Sequence, residues 1–144
     1  MQTVSRLKRN NPPFPEGFEP KGWPKIVYIA KVGSLIKIGS TENMNARLKA
    51  LKGELIYSFW TNERATESIL LRWVTENGAM LAKGREWFDS IPDELLVVIK
   101  SIKCFQEHRF VLHSGHRLAL KLKRRWDSPP IYLKEVYPFL LGNK

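Results

Sequence analysis

The run Ile26-Val27-Tyr28-Ile29-Ala30, followed closely by Leu35-Ile36-Lys37-Ile38-Gly39, restricts this chain more than any other feature. Both runs are rich in β-branched and aromatic residues, and a short link containing Gly33 joins them. That is the pattern of an antiparallel hairpin. With Val32-Gly33 as the loop, Tyr28 is expected directly opposite Lys37. Alternation then gathers Val27, Ile29, Ile36 and Ile38 on one apolar face, the natural core side. Tyr28 and Lys37 project together from the other face. An ammonium beside a phenol favours phenolate, so this pairing is expected to lower the phenol's pKa. The same pair also serves as an ordinary cross-strand contact on a surface sheet.

The following residues complete a domain. Ser40 or Thr41 is expected to cap a helix running to about Lys52, with Gly53 stopping it. Leu55 to Trp60 reads as a third strand. A helix is expected from about Arg64 to Asn77, ended by Asn77-Gly78. Ser90 with Asp93 resembles a capping box for a helix from Asp93 to about Cys104. The order β-β-α-β-α-α predicts an α+β fold with a small, mixed or antiparallel three-stranded sheet and flanking helices. Residues 1–24, with five prolines, read as an extended arm. Residues 25–104 read as the domain, and 105–144 as a basic, partly apolar extension.

Charge gives the first functional indication. The chain carries 24 Lys and Arg against 14 Asp and Glu, net +10. Residues 100–144 hold 10 basic and 3 acidic side chains, net +7. Such a clustered field suits polyanions, or simply a soluble surface. Lys121, Lys123, Arg124 and Arg125, with Lys49 on the first helix, are the DNA-binding candidates. No apolar run is long enough to span a bilayer, and Met1 to Asn10 lacks a signal peptide's apolar stretch. The single cysteine excludes an internal disulfide and fits a reducing, cytoplasmic setting. Cys104, His108, His113 and His116 offer four zinc-ligand types at a spacing that matches no familiar zinc motif.

On the helices, Met44, Leu48 and Leu51 form an apolar arc with Arg47 at its edge. Ile69, Leu70, Leu71, Trp73 and Val74 form a second arc, and Glu67 falls inside it. A carboxylate there needs a partner or a metal, because burying it unpaired is costly, unless it serves as a helix-start acid. Glu86 is a further acidic candidate, or pairs with a nearby Arg or Lys, in a stretch where Trp87 and Phe88 are expected to pack under the last helix.

Val27-Tyr28-Ile29, then Lys37-Ile38-Gly39-Ser40-Thr41, Arg47, Ala65-Thr66-Glu67 and Glu86-Trp87-Phe88 resemble, in that order, the GIY-YIG nuclease superfamily. The phage-type DNA-binding branch, with KIG as its second motif, is the most similar. The resemblance spans roughly residues 25–103. It implies that Tyr28 activates the nucleophile, that Arg47 holds the scissile phosphate, and that Glu67 binds a divalent metal, Mg²⁺ or Mn²⁺. Lys37 stands where the family's second tyrosine falls, as in some active relatives. Ile26 replaces the first motif's glycine, and Leu71 replaces a frequent histidine. The implied activity is metal-dependent DNA cleavage by an endonuclease. The alternatives are a non-catalytic DNA-binding module on the same fold and an adaptor binding RNA or a protein partner.

Overall fold

The computed structural model describes residues 11–20, 22–106 and 109–112. It contains β1 (Lys25–Val32), β2 (Leu35–Thr41), α1 (Met44–Leu51), β3 (Glu54–Thr61), α2 (Thr66–Glu76), β4 (Met80–Lys83), β5 (Trp87–Ser90), α3 (Asp93–Lys100), β6 (Ile102–Gln106) and β7 (Arg109–Leu112). The fold is α+β. The sheet has seven strands rather than three, in the order β4-β5-β2-β1-β3-β6-β7. β6 runs parallel to β3, and every other neighbour pair is antiparallel.

The hairpin forms with the predicted faces but a different register. Tyr28 pairs with Gly39, and Lys37 pairs with Ala30. The loop is Gly33-Ser34, with Gly33 at φ 63°. A positive φ at the first loop position suits the twist of the strands and suits glycine. Val32, β-branched, stays in the strand. The displacement is two residues, so every side chain keeps its face.

Both faces of the sheet are covered. Val27, Ile29, Ile38 and Phe59 pack against α2 and α3, where Ile69, Leu70, Trp73, Val74 and Ile99 close the main core. The opposite face carries a smaller cluster, Ile26, Tyr28, Ala30 and Met44, flanked by Leu48, Leu51, Leu55 and Trp60. α1 lies over this second face. Asn43 caps it, accepting from the Ala46 N–H at 3.1 Å. Thr41, one of the expected caps, remains in β2 and its hydroxyl takes the Asn43 N–H instead. Lys52 ends α1 in the left-handed region at φ 56°, and Gly53 follows.

Two further expectations change. The last helix ends at Lys100, and Ile102–Gln106 is a strand. The alternation of Ile102, Cys104 and Gln106 is short, and helical periodicity in α3 masks it. Pro92 occupies the cap position without a side-chain bond, and Ser90 belongs to β5. β6 and β7 continue the sheet beyond position 104. Residues 11–20 do not stand free: Trp60 donates to the Pro12 carbonyl at 2.6 Å, Phe14 packs on Trp60, and Gln106 donates to Gly17 and accepts from the Glu19 N–H.

Candidate active site at the open edge of a strand

β5 pairs with β2 only at Ile36 and Lys37, with one further bond from the Ile38 N–H to the Glu86 carbonyl. From Gly39 to Thr41, β2 therefore has no described neighbour on that side. Side chains from the two faces of the sheet can meet around this free edge. Tyr28 lies on the α1 face and Glu67 on the α2 face, so the two stand on opposite sides of the sheet, and only their charges and that of Arg47 act on one another near this edge.

Tyr28 approaches from the α1 face. Its side chain is fully buried, and its ring crosses the directly opposed Gly39. A Cβ at position 39 would lie 2.7 Å from the Tyr28 hydroxyl and 2.9 Å from Cζ. The glycine of the second motif thus serves close approach rather than a special φ, since any side chain there would displace the phenol. The hydroxyl itself is buried and has no hydrogen-bond partner among the described residues. Burial pushes the Tyr28 pKa upward, the Arg47 guanidinium opposes that, and the Glu67 and Glu86 carboxylates reinforce it. No described group meets hydrogen-bond geometry at the hydroxyl, so Arg47 acts as a nearby charge and a misaligned donor. The expected lowering by Lys37 does not occur. The register moves the ammonium away from the phenol, and desolvation of the phenolate dominates.

Arg47 lies at the rim of α1 and is exposed, with Met44 beneath it in the cluster. Lys49 is exposed on the same helix. Glu67 comes from the first turn of α2, on the other side of the sheet. It is half-buried, and its Oε1 accepts from the Ser40 hydroxyl at 2.7 Å. Ser40 alternates onto the α2 face with Ile36 and Ile38, so this bond ties the first turn of α2 to β2 on that face. The Glu67 charge acts on Tyr28. The carboxylate that the helical pattern left without a partner therefore uses a β2 hydroxyl. Thr66, beside it, is buried and shares a bond of 2.6 Å with Thr61, which anchors the start of α2 to β3.

Lys37 is buried and paired with Glu86. Its Nζ also lies 5.2 Å from the Trp87 ring centroid. Glu86 therefore has a specific partner in the site. Phe88 packs in the core as expected, whereas Trp87, on the opposite side of β5, does not pack under the last helix. Leu71, at the position where the resembled branch often has histidine, is buried in the main core. Cys104 is buried within β6, and its three candidate zinc co-ligands His108, His113 and His116 lie outside the described residues. So do Lys121, Lys123, Arg124 and Arg125.

The pairing of Glu86 with a nearby cation is as expected, and Lys37 is that cation. The close approach of Gly39 to Tyr28 and the role of Ser40 escaped the sequence reading. A Gly-Ser hairpin loop, itself a recognised turn signal, would have given the observed register and set Tyr28 against Gly39. The Ser40–Glu67 bond joins β2 to α2 over 27 positions of sequence, which no local pattern reports.

Among the described residues no group of three or more His, Cys, Asp or Glu side chains gathers as a metal cage, and no helix is long and apolar enough to cross a membrane. Comparison with protein-family models, curated proteins and solved structures returns no match.

Proposed function

We propose that Tyr28, Arg47 and Glu67 belong to a phosphodiester-cleaving site of GIY-YIG type acting on DNA. The observation that carries this reading is the buried Tyr28 hydroxyl, which has no well-formed hydrogen bond among the described residues and feels the charges of Arg47, Glu67 and Glu86. A buried hydroxyl without a partner costs stability, and a bound water or phosphate oxygen would satisfy it. With its pKa raised, Tyr28 works as a neutral phenol at physiological pH. It orients the attacking water and relays its proton: the phenol oxygen takes the water's proton as the phenol gives its own to a non-bridging phosphate oxygen, so no standing phenolate is needed. Arg47 is exposed and free to take a phosphate oxygen, bidentate where the geometry allows. Lys37 is charge-balanced by Glu86 and contributes to phosphate binding only as that pair reorients.

Glu67 is one carboxylate with one oxygen engaged by Ser40. Such a donor set fits Mg²⁺ or Mn²⁺ that keeps several waters and takes further ligands from the substrate phosphate. It does not fit a tightly held resident ion. When bound, that metal would supply charge stabilisation for the leaving 3′ oxygen. The rest falls to Tyr28 and Arg47.

A second reading, a DNA-binding module without catalysis, draws on the Lys37–Glu86 pair and the upward shift of Tyr28. Cleavage of plasmid, single-stranded and branched DNA with Mg²⁺ or Mn²⁺ decides between them. Catalysis requires wild-type cleavage that falls by at least ~100-fold in Glu67→Gln while metal-free DNA binding is kept. DNA binding with no cleavage of any form would establish the module instead. Unfolding of Glu67→Gln would assign Glu67 to anchoring β2 through Ser40.

A further inference from the structure

The alternation of β5 exposes something the catalytic reading does not use. Phe88 faces the main core opposite Ile36, so Trp87, opposite Lys37, faces the other way. It shares the face of Tyr28 and Gly39, because Lys37 pairs with Ala30 there. Lys83 of β4 is its partner on the far side. Lys37 Nζ lies 5.2 Å from the Trp87 ring centroid and Lys83 Nζ 4.9 Å. Lys37, Trp87 and Lys83 thus form one row across β2, β5 and β4. It runs outward from the candidate active site. Trp87 is only half-buried, and Lys83 is exposed.

An indole flanked by ammonium groups has an evident complement. Both ammonium groups lie over the ring, and Lys37 is buried and held by Glu86, but Lys83 is exposed and can leave the indole for a phosphate, which frees ring surface for the neighbouring nucleobase. Stacking needs a base whose face is free, so the complement is an unpaired strand rather than a duplex. Charge agrees: the same face carries the exposed cations Lys83 and Arg47, with Lys37 neutralised by Glu86, and the whole chain is +10.

We propose that Trp87, with Lys83 beside it, is a stacking platform for single-stranded nucleic acid that leads the strand toward the Tyr28–Arg47–Glu67 site. This rests on the nucleic-acid reading above and specifies the form of the ligand. It makes Trp87 a specificity residue and leaves the chemistry to that site.

The test is fluorescence anisotropy with the full chain at fixed salt and without metal. Three labelled probes of equal length are compared: oligothymidine, an abasic strand and a duplex. The wild type should prefer oligothymidine to both others. Trp87→Ala should weaken oligothymidine binding by roughly 5- to 150-fold, the loss expected for one stacked base. It should leave the abasic strand unchanged, and Trp87→Phe should keep most of the affinity. Lys83→Gln should lower the slope of log affinity against log salt by about 0.7 for both single strands. Equal losses on oligothymidine and abasic DNA, or no loss on either, would overturn the platform while leaving nucleic-acid binding intact. A wild type that prefers duplex would do the same. Failure of the wild type to bind any probe would instead remove the nucleic-acid reading itself.

Discussion

Tyr57 and Tyr28 sit on adjacent strands and face opposite sides of one sheet, and they have been settled in opposite ways. Tyr57 lies against the α2–α3 core and donates to the Ile102 carbonyl at 2.5 Å. Tyr28 lies under α1 and its hydroxyl has no partner among the described residues. Burial raises the pKa of both phenols. The difference extends to the faces themselves. Among the described residues, seventeen buried side chains form the core on Tyr57's side and four on the other. One face is built to hold the sheet together. The other carries a polar group left unsatisfied, a lysine–glutamate pair and an exposed arginine. A buried hydroxyl left without a well-formed bond among the described residues is the kind of group that a water or a ligand would satisfy.

Truncation on the thick side should have the largest effect. Phe59→Ala removes a fully buried ring from that core and should cost about 3–5 kcal/mol in denaturant unfolding. A cost near 1 kcal/mol would mean that the two faces share the load more evenly than their burial implies. Next comes Gly39→Ala, whose new methyl meets the Tyr28 ring. It should cost about 1–3 kcal/mol. The cost should shrink in the double variant with Tyr28→Ala, and simple additivity would mean that the close approach is not the reason for the glycine.

The paired tyrosines give the sharpest contrast. Tyr57→Phe should lose about 1 kcal/mol, because a formed bond disappears. Tyr28→Phe should lose nothing, or gain up to about 1 kcal/mol, because it removes an unsatisfied hydroxyl. DNA cleavage, if present, should collapse only in Tyr28→Phe. Equal destabilisation by both changes would erase the proposed distinction.

The smallest effect is in alkali. Each phenol has a folded pKa above its unfolded value near 10. Below that value both states keep the proton and stability is intact. As pH rises, the unfolded chain loses its protons first, so unfolding free energy falls until the folded pKa is passed. Removing either phenol should flatten this decline above about pH 9.5, as measured by urea midpoints. An unchanged slope in Tyr28→Phe would show that its hydroxyl is solvated.

Local pattern carried part of this structure and long-range pairing carried the rest. The faces of β1 and β2 were legible because alternation survives a two-residue shift of register. The apolar arcs of α1 and α2, with Arg47 at a rim and Glu67 half-buried, were legible from helical spacing. β4, β5 and β6 were not. Each has only four or five residues, too few for alternation to stand out. β6 in addition pairs in parallel with β3 across more than forty positions of sequence, Trp60 against Cys104. Reading Trp87 and Phe88 as one apolar unit hid the fact that a strand sends them to opposite faces.

The docking of residues 11–20 has a consequence for the order of assembly. Gln106 reaches Gly17 and Glu19 across separations of 89 and 87 residues. Asn11 meanwhile accepts the Met44 N–H at the start of α1. Residues 17–19 must therefore wait for β6 before they can complete these bonds. Contacts so distant along the chain form late, because the loop they close must first be organised by everything between. Attachment of the arm reports a finished sheet. Its release, seen as early exchange of the Glu19 and Met44 amides, should be among the first events of unfolding.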